Sequence, residues 1–158
     1  MWPVVVTCTY AAQHWDAAPS AAPWKAAFAF LADPIVAGGP YVYCDESDLH
    51  WTLGGVLLDA QVPLRHEVRL ARGTKIDFVS GDVGVEVKTL GGPADLATRR
   101  QLLRYSRTGA VRAILLITTC RDHLRDPDYT GGYGVPVAVL HVQALRDRSC
   151  KPRFRSFR

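Results

Sequence analysis

Lys75-Ile76-Asp77-Phe78-Val79-Ser80-Gly81-Asp82-Val83-Gly84-Val85-Glu86-Val87-Lys88 is the stretch of this 158-residue chain that decides its fold. Gly81-Asp82 suits a tight turn between two strands. With the turn there, Ser80 faces Val83, Phe78 faces Val85, and Asp77 falls opposite Glu86. Side chains alternate along a strand, so one face carries Ile76, Phe78, Val83, Val85 and Val87. The other carries Lys75, Asp77, Glu86 and Lys88. Two carboxylates directly across a sheet repel, and the simplest group to offset that is a divalent cation. Mg²⁺ is held by one or two carboxylates together with water and phosphate oxygens. Lys88, two residues past Glu86, points the same way. This pattern is suited to metal-assisted attack on a phosphodiester.

Upstream, Cys44-Asp45-Glu46-Ser47-Asp48-Leu49-His50-Trp51-Thr52-Leu53-Gly54-Gly55-Val56-Leu57-Leu58 has Leu49, Leu53, Val56 and Leu57 at helical spacing. Asp45, Glu46, Ser47 and Asp48 fill its first turn, where acids and capping residues are favoured in any case. His50 shares a face with Glu46, although a lone histidine is more often structural than functional. Residues 63–70 alternate and read as a strand. Glu67 there shares a face with Arg65 and Arg69, as a further acid or in a cross-strand ion pair. Downstream, Gly91-Gly92-Pro93 ends the hairpin. Pro93-Ala94-Asp95 opens a helix with Leu96 and Leu103 on its apolar face and Gly109 as its cap. Gln101 and Tyr105 lie one turn apart on it. Residues 113–119 are a continuous apolar run and read as a buried central strand, which makes the intervening helix a β-α-β crossover. The polar, Gly-rich segment 122–134, with Tyr129 and Tyr133, is expected to be a mobile loop within reach of substrate. Residues 135–142 supply a last strand. The fold class expected is α/β, a central mixed sheet flanked by helices in the order α-β-β-β-α-β plus one strand.

Asp77 followed by Glu86-x-Lys88 resembles the signature of the PD-(D/E)xK nuclease superfamily in a relaxed form, with Ile76-Asp77 in place of Pro-Asp. The acid-bearing helix is similar to that family's first core helix. Gln101-Leu102-Leu103-Arg104-Tyr105 resembles the QxxxY element of its RecB-like branch. A small single domain also suits the Holliday-junction-resolvase-like members. The ordered set, over roughly residues 45–142, is more specific than any of its parts. The resemblance implies a restriction-endonuclease-like core in which Asp77, Glu86 and the Val87 carbonyl hold Mg²⁺ or Mn²⁺. It implies one more acid from the helix, for which Glu46 is chosen, with Asp45, Asp48 and Glu67 as rivals. Lys88 would position or activate the attacking water. Gln101 would hydrogen-bond a phosphate or the lysine, and Tyr105 would stack on a base. The implied activity is a metal-dependent deoxyribonuclease, structure- or end-selective, serving DNA recombination, repair or phage DNA processing. The alternative is a catalytically silent DNA-binding or assembly module on the same fold. In a third reading the hairpin acids form salt bridges with Lys75 and Lys88.

The charge distribution points to DNA as partner. Residues 1–64 hold one basic residue, Lys25, and six acids, leaving 18 basic and nine acidic residues from Arg65 onward. Between Asp95 and Asp122 there is no acid, while Arg99, Arg100, Arg104, Arg107 and Arg112 all lie there. Arg99, Arg100, Arg104 and Arg107, with Tyr105, are the expected DNA contacts. The tail adds Arg146, Arg148, Lys151, Arg153, Arg155 and Arg158 against Asp147. Three parts are expected: an acidic N-terminal extension (1–44), a nuclease-like core (45–145) and a basic tail (146–158). The extension, with a strand over residues 2–9 and a short helix from Pro23 to Pro34, would cover a sheet edge or form a homodimer contact. Cys8, Cys44, Cys120 and Cys150 have no zinc-like spacing and read as free thiols. No stretch approaches the ~18 apolar residues of a membrane span, and the N-terminus lacks the basic start of a secretory signal. A cytoplasmic protein is expected.

Overall fold

The helical and alternating patterns become, in the computed structural model, three helices around a mixed five-stranded sheet; residues 22–89, 96–121, 123 and 133–151 are described. In chain order these are α1 (Ala22–Gly38), β1 (Tyr41–Tyr43), α2 (Glu46–Asp59), β2 (Arg65–Ala71), β3 (Thr74–Ser80) and β4 (Val83–Lys88). There follow α3 (Leu96–Arg107), β5 (Ala113–Thr118), β6 (Val137–His141) and β7 (Ala144–Arg146). The sheet order is β2-β3-β4-β5-β6. The first three strands run antiparallel, and β4, β5 and β6 run parallel. The chain is therefore α/β, with α3 crossing between β4 and β5. The strand at 2–9, the Gly91-Gly92-Pro93 break, the Pro93-Ala94-Asp95 helix start, Tyr129 and the tail arginines 153, 155 and 158 lie outside the described residues.

Two apolar layers sandwich the sheet. Phe28, Leu31 and Ile35 of α1 and Leu49, Leu53 and Leu57 of α2 pack against Phe78, Val83, Val85 and Val87. On the opposite face Leu102 and Tyr105 of α3 pack with Ile76, Val79, Ile114 and Leu116. Every residue of β5 is buried, as its unbroken apolar run requires. Residues 22–43 of the expected extension thus contribute to the main core. β1 also pairs in parallel with β7, Tyr41 opposite Ala144 and Tyr43 opposite Arg146.

Several expectations are corrected. α1 does not stop at Pro34 but continues to Gly38. An interior proline costs about 3 kcal/mol, yet Phe28, Leu31 and Ile35 are all fully buried at about 1.5–3 kcal/mol each, so packing wins. The apolar face of α3 is Leu102 and Tyr105 with Leu103 packed beside them, whereas Leu96 is exposed. Tyr133 is buried in the α3-side layer, not turned toward substrate. Cys44 and Cys150 form a disulfide with a Cα–Cα distance of 5.7 Å, so these two are not free thiols, whereas Cys120 is. The start of the basic tail is therefore tied back to the residues just before α2.

The largest correction concerns the hairpin. Phe78 packs on the α1/α2 side while Ile76 packs on the α3 side, so alternation breaks at Asp77. β2 breaks opposite it. His66 pairs with Phe78 and Val68 with Ile76, and Glu67 between them sits at φ +48°. Both strands change face together, which preserves their register. The β3–β4 pairing ends at Phe78 opposite Val85, so Asp77 and Glu86 do not form a regular cross-strand pair. The carboxylate of Asp77 instead accepts the Val87 backbone N–H at 2.8 Å, a side chain in place of the next carbonyl of the ladder. Bulges of this kind re-aim side chains beside sites.

Candidate functional site

The open end of the hairpin collects the residues singled out from the sequence. Glu86, on the central strand, is buried with only 3% of its side chain exposed, and its Oε1 lies 2.9 Å from Lys88 Nζ. Lys88 Nζ is also 3.5 Å from Glu46 Oε1. Helix α2 delivers Glu46 from its first turn, where the three acids divide their work. Asp45 is the N-cap and accepts the Asp48 N–H at 2.8 Å. Asp48 accepts the Cys44 N–H at 3.0 Å. Glu46 alone turns to the sheet, accepting the Thr89 N–H at 3.1 Å through Oε2. Glu67, the remaining rival, pairs with Lys75 at 3.0 Å between two half-exposed side chains.

Two carboxylates thus contact one ammonium, and a third, Asp77, bonded to the Val87 N–H of the same strand, acts on it only through its charge. Burial, with the charge of Asp77 acting the same way, pushes the Glu86 carboxyl up to about 7 against the opposing pull of Lys88 and Tyr105. Burial raises Asp77 to about 6 against the Val87 N–H and Lys88, with Glu46 adding to the rise. Lys88 behaves oppositely: burial would lower it, but Glu86, Glu46 and Asp77 outweigh burial and hold it above the ordinary lysine value. Such mutual perturbation marks a site short of positive charge.

Tyr105 and Gln101 are placed beside the site but not as expected. Tyr105 is 1% exposed, so it cannot stack on a base. Its hydroxyl lies 2.9 Å from Glu86 Oε2 and 2.9 Å from the Lys75 carbonyl. Gln101 Nε2 donates to that hydroxyl rather than reaching a phosphate or Lys88. A protonated Glu86 could donate to Tyr105, which would then donate to Lys75; an ionised Glu86 would take the tyrosine proton itself. The expected DNA contacts Arg100, Arg104 and Arg107 are exposed, Arg99 is half-buried, and Tyr105 is excluded by burial.

His50 and His66 were passed over as site residues. His50 Nδ1 lies 3.3 Å from Asp77 Oδ1, and its Nε2 lies 2.8 Å from His66 Nε2. Burial holds His50 well below the usual histidine range, at about 4, so it is neutral. The four-residue spacing from Glu46 was the available signal for His50. Nothing in the sequence announces His66, because its partner comes from another element.

The donors fit a hard divalent ion: carboxylate oxygens of Asp77 and Glu86, with the Val87 carbonyl beside them. Thr119 donates to the Lys88 carbonyl at 3.1 Å, so Lys88 directs its backbone to β5. By alternation Val87 directs its own toward β3, beyond the last paired residues. Among the described residues, however, no three His, Cys, Asp or Glu side chains are grouped so as to hold a metal ion. No helix of the described residues is long and apolar enough to cross a membrane. No protein-family model, curated protein or solved structure matches the chain.

Proposed function

We propose that the chain is a Mg²⁺- or Mn²⁺-dependent deoxyribonuclease of the PD-(D/E)xK kind, with a restriction-endonuclease-like core. One observation carries the reading: Glu86 and Glu46 meet the single ammonium of Lys88 at 2.9 and 3.5 Å, and Asp77, bonded to the Val87 N–H of the same strand, adds a third carboxylate to its field, a net negative site next to an arginine-bearing helix. The order α2-β2-β3-β4-α3-β5 supports it, as does α2 delivering Glu46 to the end of β4. Asp77, Glu86 and the Val87 carbonyl would hold the ion, with Glu46 on its outer side and His50, whose Nδ1 lies 3.3 Å from Asp77 Oδ1, as a further donor. The bound ion would supply Lewis-acid polarisation of the phosphate and a water acidic enough to ionise near neutral pH. Lys88 would orient that water and stabilise charge building on phosphorus. Tyr105 and Gln101 would fix the Glu86 carboxylate. Arg100, Arg104 and Arg107 of α3 would grip the backbone.

The substrate would be DNA presented at ends or junctions, as in recombination, repair or phage DNA processing. The test is cleavage of linear, nicked and four-way-junction DNA with and without Mg²⁺. Cleavage that survives EDTA, or that persists in full after Asp77→Ala, Glu86→Ala or Lys88→Ala, rejects the reading. A silent DNA-binding module is the second reading. It is favoured by the absence of a three-residue metal-holding group among the described residues. Binding without cleavage in every divalent ion would select it.

A further inference from the structure

The double bulge at Glu67 and Asp77 does more than free a carboxylate. His66, before it, faces α2, where its ring lies 4.6 Å from Trp51 and 5.5 Å from Phe78 between centroids. Val68 and Leu70, after it, pack on the α3-side layer. Arg69 and its partner Lys75 therefore turn to the same face as His66. In an unbroken ladder they would lie on the other. Lys75 accordingly influences the protonation of both His50 and His66. Arg72 follows in the turn between β2 and β3, next to Gly73 at φ +71°.

The face beside Asp77 thus combines half-buried Trp51 and His66 with exposed Arg69 and Lys75, and exposed Arg72 lies in the turn at its end. The one acid there, Glu67, pairs with Lys75 between two half-exposed side chains, a contact a phosphate can replace at little cost. Arg69 and Arg72 have no ion-pair partner among the described residues. β2 is an edge strand, and edge charges alone can be protection against strand pairing. That does not account for an aromatic pair between those charges and the carboxylates. An aromatic step beside free guanidinium groups is how proteins hold single-stranded nucleic acid.

We propose that the β2–β3 edge hairpin is a second nucleic-acid arm, in which Arg69 and Arg72 hold the phosphates of a single-stranded DNA segment while Trp51, backed by His66, stacks on one of its bases. This rests on the nuclease reading and names its substrate more closely, as a frayed end or single-stranded flank entering beside Asp77. The arm lies on the opposite face from α3, so a strand could run from one set of arginines past the carboxylates to the other.

The test is equilibrium binding of a fluorescent oligo(dT) and of a blunt duplex to the full chain in EDTA, over a salt series. Replacing Arg69 and Arg72 together by Gln should lower the salt slope for oligo(dT) by about 1.4, at about 0.7 per neutralised phosphate. Trp51→Ala should weaken oligo(dT) binding by about tenfold or more, as loss of one stacked base does. Trp51→Phe, which keeps an aromatic face, should restore most of it. Duplex affinity should change little in the Trp51 variants. An unchanged slope in the double variant overturns the arm while leaving the nuclease reading intact. Equal losses for duplex and single strand overturn the single-stranded assignment. Absence of DNA binding in the unaltered protein overturns both.

Discussion

Glu86→Gln tests the electrostatic account of the site without reference to catalysis. Gln has the shape of protonated Glu86 and none of its charge. Burial and Asp77 lift the Glu86 carboxyl from 4.5 to about 7. At about 1.4 kcal/mol per pKa unit, keeping it ionised in the folded protein costs on the order of 3 kcal/mol. A folded-state pKa above the unfolded one means that the folded protein holds the proton more tightly. Below pH 4.5 both states are protonated and the cost is absent. It grows as pH rises from about 4.5 to about 7 and is constant above that. In EDTA at pH 8, Glu86→Gln should therefore be more stable than the unaltered protein by up to about 3 kcal/mol. For a chain of this length that is roughly 6–12 °C in Tm. The gain should shrink to nothing near pH 4.5. Thermal unfolding followed by circular dichroism across this range measures it. Adding Mg²⁺ at pH 8 should raise the Tm of the unaltered protein by mass action and leave the variant nearly unmoved. A variant that is no more stable at pH 8, or whose advantage does not depend on pH, would refute the reasoning.

Asp77→Asn and Lys88→Met should each reduce Mg²⁺-dependent DNA cleavage by at least about a hundredfold, while affinity for DNA in EDTA stays within a few-fold. Tyr105→Phe removes a hydroxyl that lowers the Glu86 pKa, so the acid limb of the pH–rate profile should move to higher pH. It should also cost about 1–2 kcal/mol in urea unfolding, because buried partners lose a hydrogen bond. Leu53→Ala, at a fully buried position between α2 and the sheet, should cost about 2–5 kcal/mol. Cys150→Ser opens a bridge between residues 106 apart and should cost about 4–5 kcal/mol on the loop-entropy model. Dithiothreitol should reproduce that loss in the unaltered protein and not in the variant.

The strands and helices were legible because their signals are local. The apolar run Ala113–Thr118, the Gly81-Asp82 turn and the spacing of Leu49, Leu53 and Leu57 each specify an element within a few residues. Glu46, chosen from three neighbouring acids, is the one of the three that faces Lys88, although the sequence offered no reason to prefer it. Asp45 and Asp48 are consumed by capping bonds that become visible only once the helix start is fixed. The bulge was hidden because an alternating pattern is equally consistent with a regular ladder. Ile76 and Phe78 read as one face, and only packing against different helices separates them. Tyr105 was misread for a similar reason: one helical turn from Gln101 shows that the two meet, not that they turn inward to Glu86. The Cys44–Cys150 bridge depends on β1 lying beside β7, a contact between segments about a hundred residues apart that no local pattern announces.

The same bridge turns residues 44 to 150 into a closed loop of covalent bonds, and each residue of the candidate site belongs to that loop. A protease nick at one point within it would leave two pieces still fastened together, migrating as one species until a reductant is added. Since the strands that carry Asp77 and Glu86 pair with each other and the second of them also with β5, a molecule nicked once could keep its working arrangement and lose it only when the cystine is opened.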